Sequence, residues 1–362
     1  MRMALDLAKK GLGTTNPNPM VGAVIVKDNR VIACAYHKRV GTLHAEALAL
    51  KIAGEKSKGA TLYVNLEPCC HFGRTPPCTD AIIKSKIKRV FCSMKDPNPL
   101  NNGKGIEILR RNGIEVDVGL LRSEAERLNE VFIKYITKNL PFVTLKMAES
   151  LDGKIATRTG DSKWISSIVS RDYVHRLRSQ VDAVLVGINT ILNDDPLLSS
   201  RRSRSPVKVV LDPELKIPER AKIFSKASPG LNIVAVHKKS LQKKSIVEKA
   251  NRITKKGCLV MAFSGENGRI DLGELLKELA GLEIAHLLVE GGGEIAASFL
   301  EGNFVDRVLF FIAPKIIGGR DAISSVEGLG VAKVKDSIIL KDIEIKRIGG
   351  DILVKGYVHR DN

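Results

Sequence analysis

From Gly22 to Val118 short apolar runs alternate with longer segments of helical period, and that alternation restricts the chain to an α/β layered fold. Ala23-Val24-Ile25-Val26, Thr61-Leu62-Tyr63-Val64 and Arg89-Val90-Phe91-Cys92 read as strands, while 45–53 and 80–85 read as helices. An amphipathic run over 123–138, with Ser123 as its N-cap, closes the unit. Asn139-Leu140-Pro141 then breaks it, because proline disfavours helix at the residue before it. The break predicts domains at 1–140 and 141–362, which suits a length of 362 residues. The second half restarts with a strand over 142–148 and continues with strands at 183–187, 207–211, 233–236, 259–262 and 286–290. Helical patterns intervene at 170–179 and 272–280, and the runs 338–348 and 352–358 form a hairpin around Gly349-Gly350-Asp351.

Hydrophobic residues at 44% and charged residues at 27% are ordinary globular usage, which excludes disordered and coiled-coil architectures. No run approaches the roughly 20 apolar residues that a bilayer needs, and the start lacks the apolar core of a signal peptide, so a cytoplasmic protein is expected. Four of the six cysteines, Cys34, Cys69, Cys70 and Cys78, fall in the first 80 residues, which in a reducing compartment predicts a metal before a disulfide. The formal charge of +18 is spread over both halves: 23 basic against 13 acidic residues up to Leu140, then 35 against 27. One stretch is richer still, since 201–256 holds 16 basic and 4 acidic residues, including Arg201-Arg202-Ser203-Arg204.

His44-Ala45-Glu46 opens a helical run, Pro68-Cys69 follows 24 residues later, and Cys78 opens another helix after eight more residues. One imidazole and two thiolates suit zinc and leave a fourth tetrahedral position for water. Helix N-termini favour the thiolate form, which is the form that binds metal. Glu46, in the same first turn as the histidine, stands where a carboxylate could move a proton without ligating. This is the order found in zinc base deaminases, H-x-E then P-C-x-x-C, but here eight residues separate the cysteines in place of two. A structural zinc site would need a fourth ligand, for which Cys70 and His71 are the neighbours. In the second half the strand 286–290, the turn Gly291-Gly292-Gly293 and the helix 294–300 present bare N–H groups, as a tight turn or as a phosphate cradle. The strand of 142–148 is followed by no G-x-G-x-x-G.

Pro17-Asn18-Pro19-Met20-Val21-Gly22, His44-Ala45-Glu46 and Glu67-Pro68-Cys69-Cys70-His71-Phe72-Gly73-Arg74-Thr75-Pro76-Pro77-Cys78 together resemble the deaminase half of the bifunctional deaminase-reductases of riboflavin biosynthesis. Leu145-Lys146-Met147-Ala148, Ser150-Leu151-Asp152-Gly153-Lys154, Ser162-Lys163-Trp164-Ile165, Asn193-Asp194-Asp195-Pro196 and Val289-Glu290-Gly291-Gly292-Gly293 resemble the reductase half, in the expected order. The resemblance implies a cytidine-deaminase-like three-layer domain followed by a dihydrofolate-reductase-like domain. It implies zinc-dependent hydrolytic deamination of 2,5-diamino-6-(5-phosphoribosylamino)pyrimidin-4-one, then NADPH-dependent reduction of the ribose to a ribityl chain.

By the same resemblance His44, Cys69 and Cys78 hold Zn²⁺, Glu46 shuttles protons, and Asn18 and His71 line the pyrimidine pocket. Lys146, Ser162, Arg178, Leu198, Arg201 and Glu290 are the expected substrate contacts of the reductase. Ala148, Trp164, Thr190, Asp194, Gly292, Gly293, Glu294 and Ile295 are the expected cofactor contacts. Cys70 departs from the usual serine and is expected to pack beside the metal without ligating. Hydride delivery to the open-chain sugar requires a proton donor or orienting group, for which Lys146, Asp152 and Glu290 stand unranked. The basic run 201–256 is expected to help select NADPH through its 2′-phosphate.

Two rival readings remain. A tRNA or single-strand base deaminase with an accessory α/β domain would use the same zinc motif and the net charge, but the cysteine spacing and an aromatic content of 4% argue against it. A regulatory or zinc-structural protein would not need the complete catalytic set. The expected partner is a phosphorylated small molecule, with no nucleic acid and no membrane, and a homo-oligomer is left open.

Overall fold

Two sheets organise the computed structural model, which describes residues 1–201, 204–225, 228 and 230–359; Arg202 and Ser203 of the basic run lie outside the described residues. The chain divides into a unit of Met1–Leu140 and a unit beginning at Pro141. At the division Asn139 adopts the left-handed conformation, at φ 51°, that commonly ends a helix, and Pro141 follows.

The first unit has a sheet of order β2-β1-β3-β4-β5. Its strands are β1 (Gly22–Lys27), β2 (Arg30–Tyr36), β3 (Thr61–Val64), β4 (Arg89–Cys92) and β5 (Glu115–Val118). β1 is antiparallel to β2 and β3, and β3, β4 and β5 run parallel. The helices are α1 (Arg2–Ala8), α2 (Ala45–Ala53), α3 (Cys78–Lys84), α4 (Lys104–Arg111), α5 (Arg122–Leu128) and α6 (Glu130–Lys138). Ile25, Leu62, Ile82 and Leu109 are fully buried between the layers. Gly22 is required where α1 crosses β1, because a Cβ there would lie 2.0 Å from the Ala4 carbonyl oxygen. The run expected as one helix over 123–138 is two. Its N-cap is Leu121 and not Ser123, and it breaks at the buried Asn129, whose side chain accepts from the Met20 N–H and donates to the Met20 carbonyl. That tertiary demand outweighs helix propensity.

The second unit has a sheet of order β10-β9-β8-β7-β11-β6-β12-β14-β13. It comprises β6 (Phe142–Ser150), β7 (Ala183–Gly187), β8 (Val207–Leu211), β9 (Asn232–His237), β10 (Cys258–Phe263), β11 (His286–Val289), β12 (Arg307–Ala313), β13 (Leu340–Ile348) and β14 (Asp351–Val358). β6 to β12 are parallel, and only β14 and β13 run against their neighbours, as the expected hairpin with Ile348 opposite Asp351. β7, β9 and β11 are buried along their whole length, as strands covered on both faces must be. The helices are α7 (Ile168–Arg178), α8 (Ile188–Asp194), α9 (Lys244–Thr254), α10 (Leu272–Gly281) and α11 (Gly293–Glu301). Ser167 caps α7 by accepting from the Ser170 N–H, and Asp271 caps α10 by accepting from Glu274. Parallel strands share one carboxyl edge, and the crevice outside that edge is where such sheets bind ligands. Among the described residues no helix is long and apolar enough to cross a membrane.

Candidate zinc centre and cofactor cavity

His44 is the residue before α2, Cys78 is the first residue of α3, and Cys69 lies on the loop after β3, so three separate segments converge. One ligand atom from each lies within 4.8 Å of the others. The His44 Nδ1 is 3.5 Å from the Cys69 sulfur and 3.3 Å from the Cys78 sulfur. When Nε2 carries the proton and donates it to the Thr75 hydroxyl, 3.2 Å away, Nδ1 keeps its lone pair for a metal ion. The Cys78 amide donates to the Cys69 sulfur at 3.3 Å. The Cys78 hydrogen bond, followed by the His44 ring, pulls the Cys69 thiol well below its ordinary value, towards the thiolate that binds metal. This donor set fits zinc, with three protein ligands and one open tetrahedral position.

Glu46 is buried within the first turn of α2, 4% exposed. Burial pushes its carboxyl up to about 7 against the opposing pull of His44. Cys70 stays outside the ligand cluster: its amide donates to the Asn101 side chain at 3.0 Å, and burial raises its thiol. Asn18 reaches His37 Nε2 at 3.3 Å, and the His37 ring packs edge-on against His44 at 5.3 Å. His71 Nδ1 is buried with no hydrogen-bond partner among the described residues, a polar atom open to a ligand.

The loop carrying Cys69 rests on residues that the sequence reading passed over. Buried Glu67 accepts from the amides of Asp96, Gly103 and Ile106, at 3.0, 2.8 and 3.2 Å. Asn101, fully buried, donates to Asp96 and to the Pro68 carbonyl. In the sequence Glu67 shows only as the residue before Pro68-Cys69, and Asp96 and Asn101 only within and just after the polar run Asp96-Pro97-Asn98-Pro99, which also reads as a turn.

In the second unit a cavity of about 770 Å³ opens at the carboxyl ends of β7, β8 and β11. Ser162, Thr190, Asp194, Glu290, Gly292, Gly293, Glu294 and Ile295, eight of the expected contacts, line it. Gly292 has no atom within 4 Å of where a Cβ would stand, whereas a Cβ on Gly291 would lie 2.5 Å from that of Ile295. The turn can therefore lie bare against a phosphate at the start of α11, and the volume lies in the range of small-molecule and cofactor sites. The Ser162 hydroxyl donates to Asp194 at 3.5 Å.

Glu290 joins this cavity to a buried ion cluster. Arg178 donates to it from Nε and Nη2 at 2.7 and 2.9 Å, and the Lys146 ammonium lies 3.6 Å away. Burial alone would push the Glu290 carboxyl up, but Arg178 and Lys146 hold it at about 2. Asp152 is spent elsewhere, accepting from Ser150, Ile317 and Gly318, which hold it at about 2.

Six expected contacts sit outside the cavity lining among the described residues, Lys146 and Arg178 of the ion cluster and four others. Ala148 packs against the core, Trp164 is 63% exposed under the Arg171 guanidinium at 4.3 Å, Leu198 is buried, and Arg201 is exposed. From the basic run 201–256 only Leu211 and Pro213 line the cavity, and neither is charged.

The chain's likenesses match this division. The RibD C-terminal domain profile covers residues 141–354, and that of the cytidine and deoxycytidylate deaminase zinc-binding region covers residues 1–94. The riboflavin biosynthesis protein RibD of Aquifex aeolicus is 49% identical over 357 residues, 98% of this chain and 96% of the relative. Acinetobacter baumannii RibD superposes with a TM-score of 0.87 at 33% identity, covering 99% of this chain and 98% of the other. A Thermotoga maritima diaminohydroxyphosphoribosylaminopyrimidine deaminase/5-amino-6-(5-phosphoribosylamino)uracil reductase superposes at 0.85 with 38% identity, covering 99% and 97%. The fold is thus cytidine-deaminase-like in the first unit and dihydrofolate-reductase-like in the second, with zinc and NADPH as the cofactors. With both domain types in order, and identity and superposition running nearly end to end, the chain belongs to the RibD family of bifunctional deaminase and reductase enzymes of riboflavin biosynthesis.

Proposed function

We propose that the first domain removes the ring amino group of 2,5-diamino-6-(5-phosphoribosylamino)pyrimidin-4-one as ammonia, and that the second reduces the ribose of the deaminated product to a ribityl chain. The observation that carries the reading is a buried carboxyl, Glu46, two residues from one member of a His-Cys-Cys cluster that suits zinc. Zinc, when held by His44, Cys69 and Cys78, makes water nucleophilic near neutral pH. Glu46 takes that water's proton and returns it to the departing amine, for which a carboxyl raised by burial is suited. His71, with its unpartnered Nδ1, and Asn18 bind the pyrimidine edge.

In the second domain NADPH supplies the hydride, and the chain's residues place the sugar and manage the proton. Gly292 and Gly293 take the pyrophosphate, while Thr190 and Asp194 hold the cofactor beside them. Ala148, Trp164, Glu294 and Ile295 complete that contact set, and Ser162, Leu198 and Arg201 complete the substrate's. Of the three candidate proton donors, Glu290 and Asp152 are held ionised, so Lys146 carries the proton that neutralises the nitrogen as hydride reaches C1. Burial lowers the Lys146 ammonium, which makes it the better acid. The reading needs a phosphorylated small molecule, and neither nucleic acid nor membrane. Its paired thiol ligands suit the reducing cytoplasm.

Ammonia release from the diamino compound without NADPH, followed by NADPH oxidation once NADPH is added, tests the scheme. Ammonia release that required NADPH would contradict it.

A further inference from the structure

Selection of a 2′-phosphorylated cofactor requires a cation in the cavity, and among the described residues lining it Arg269 is the one basic side chain, against Asp194, Glu290, Glu294, Glu301 and Glu327. Several cations of the run 201–256 are paired with carboxylates: Lys216 with Glu214, Lys222 with Asp195, Lys238 with Glu274, and Arg252 with Glu219. The Arg269 guanidinium pairs with no carboxylate among the described residues and stands exposed at the cavity wall.

Its place is fixed by the loop between β10 and α10. The Asp271 amide donates to the Ser264 carbonyl at 2.8 Å and the Arg269 amide to the Glu266 carbonyl at 2.9 Å, which closes the loop on itself. The closure is tight enough that a Cβ on Gly265, at φ +154°, would lie 2.0 Å from the Arg269 carbonyl oxygen. The Gly265 carbonyl is met by His237 Nε2 at 3.1 Å, and Glu274 accepts from the Ser264 amide and hydroxyl at 2.7 and 2.6 Å. Arg269 therefore projects from a braced turn and not from a loose one. His237 links this loop to the end of β8, its amide donating to the Pro213 carbonyl at 3.0 Å, and Ile270, Leu211 and Pro213 line the same cavity. The glycine turn follows β11, and β7 separates β8 from β11 in the sheet, so the end of β8 and the glycine turn lie two strand spacings apart, about 10 Å. A nucleotide with its pyrophosphate on Gly292 and Gly293 would need its adenosine ribose to span that gap.

We propose that Arg269 grips the 2′-phosphate and is the residue that makes this site choose NADPH over NADH. The proposal rests on the reductase reading above. A planar guanidinium matches a phosphate bidentately where an ammonium offers a single point charge.

The test is calorimetric binding to the full, zinc-loaded chain of NADPH, NADH, and the fragments 2′,5′-ADP and 5′-ADP, which lack nicotinamide and cannot react. The wild type should bind NADPH over NADH, and 2′,5′-ADP over 5′-ADP, by about 10- to 100-fold, the range that charge-assisted hydrogen bonds span. Arg269→Ala should bring both ratios close to one by weakening the 2′-phosphorylated ligand alone, and Arg269→Lys should retain part of the preference. Retained NADH and 5′-ADP affinity in Arg269→Ala shows that the domain is folded. Wild-type ratios in Arg269→Ala, or no preference in the wild type, would overturn the assignment and leave the reductase reading standing. A wild type that bound none of the four would overturn both.

Discussion

Glu46 and the three ligand residues make separable demands, and mutation distinguishes them. Glu46→Gln should keep one zinc per chain and lose roughly 10²–10⁴-fold in ammonia release, the usual share of a general acid/base; wild-type turnover would remove it from the proton path. Cys69→Ser or Cys78→Ser should lose zinc and ammonia release together while the chain still oxidises NADPH with deaminated substrate. His44, Cys69 and Cys78 stand out in the sequence because imidazole and thiol donors are sparse there, and folding brings them within 4.8 Å. Thr75 and Asn101 do not stand out, because a threonine that orients an imidazole and an asparagine that pins a loop look like surface residues until the fold closes. Arg178 is another case. By the family resemblance it is a substrate contact, yet its fork is engaged by the buried Glu290. Arg178→Ala leaves that carboxylate with only Lys146, at a cost of about 3–5 kcal/mol. For a domain of this size that lowers its melting temperature by roughly 6–20 °C. An unchanged thermal transition would show that Glu290 finds another partner.

At the scale of elements, α4 bears directly on the metal loop. A Cβ on Gly105 would lie 2.2 Å from the Pro68 carbonyl oxygen, so Gly105→Ala should displace the Pro68–Cys69 segment and weaken zinc retention against a chelator; wild-type retention would show that the loop yields freely. β11 carries a different device. His286 is fully enclosed, its Nε2 3.0 Å from the Thr144 hydroxyl, with Arg307 and the Phe142 ring beside it. Burial, then the Arg307 charge, hold the imidazole well below its ordinary 6.5. The unfolded chain therefore takes up a proton that the folded one refuses, so the stability contributed by neutral His286 is complete above about 6.5 and is lost as pH falls below it. Amide exchange of Leu287–Val289, corrected for its intrinsic rate, should quicken between pH 7 and pH 5.5, and His286→Gln should flatten that change. The strands of the parallel sheet other than β12 were legible from their apolar runs; β12, Arg307–Ala313, was missed although its run is equally apolar. The helix α8 was not legible, because seven residues of mixed polarity carry no period that outweighs their tertiary contacts, and the apolar run of β2 was passed over.

For the whole molecule, two α/β units divided after Leu140 carry two chemistries that meet in one substrate. The alternation of runs and the proline break were enough to suggest both units. The glycine turn became a cofactor candidate only when the sheet gathered the ends of β7, β8 and β11 around one cavity, since three glycines in sequence fit a plain turn equally well. The two chemistries follow an order, deamination by the first unit before reduction by the second. NADPH oxidation by the Glu46→Gln chain, given either the diamino compound or its deaminated product, measures that order directly. Oxidation with the diamino compound should fall with ammonia release, by roughly 10²–10⁴-fold, while the deaminated one is reduced at the wild-type rate. Oxidation with the diamino compound at the wild-type rate would contradict that order.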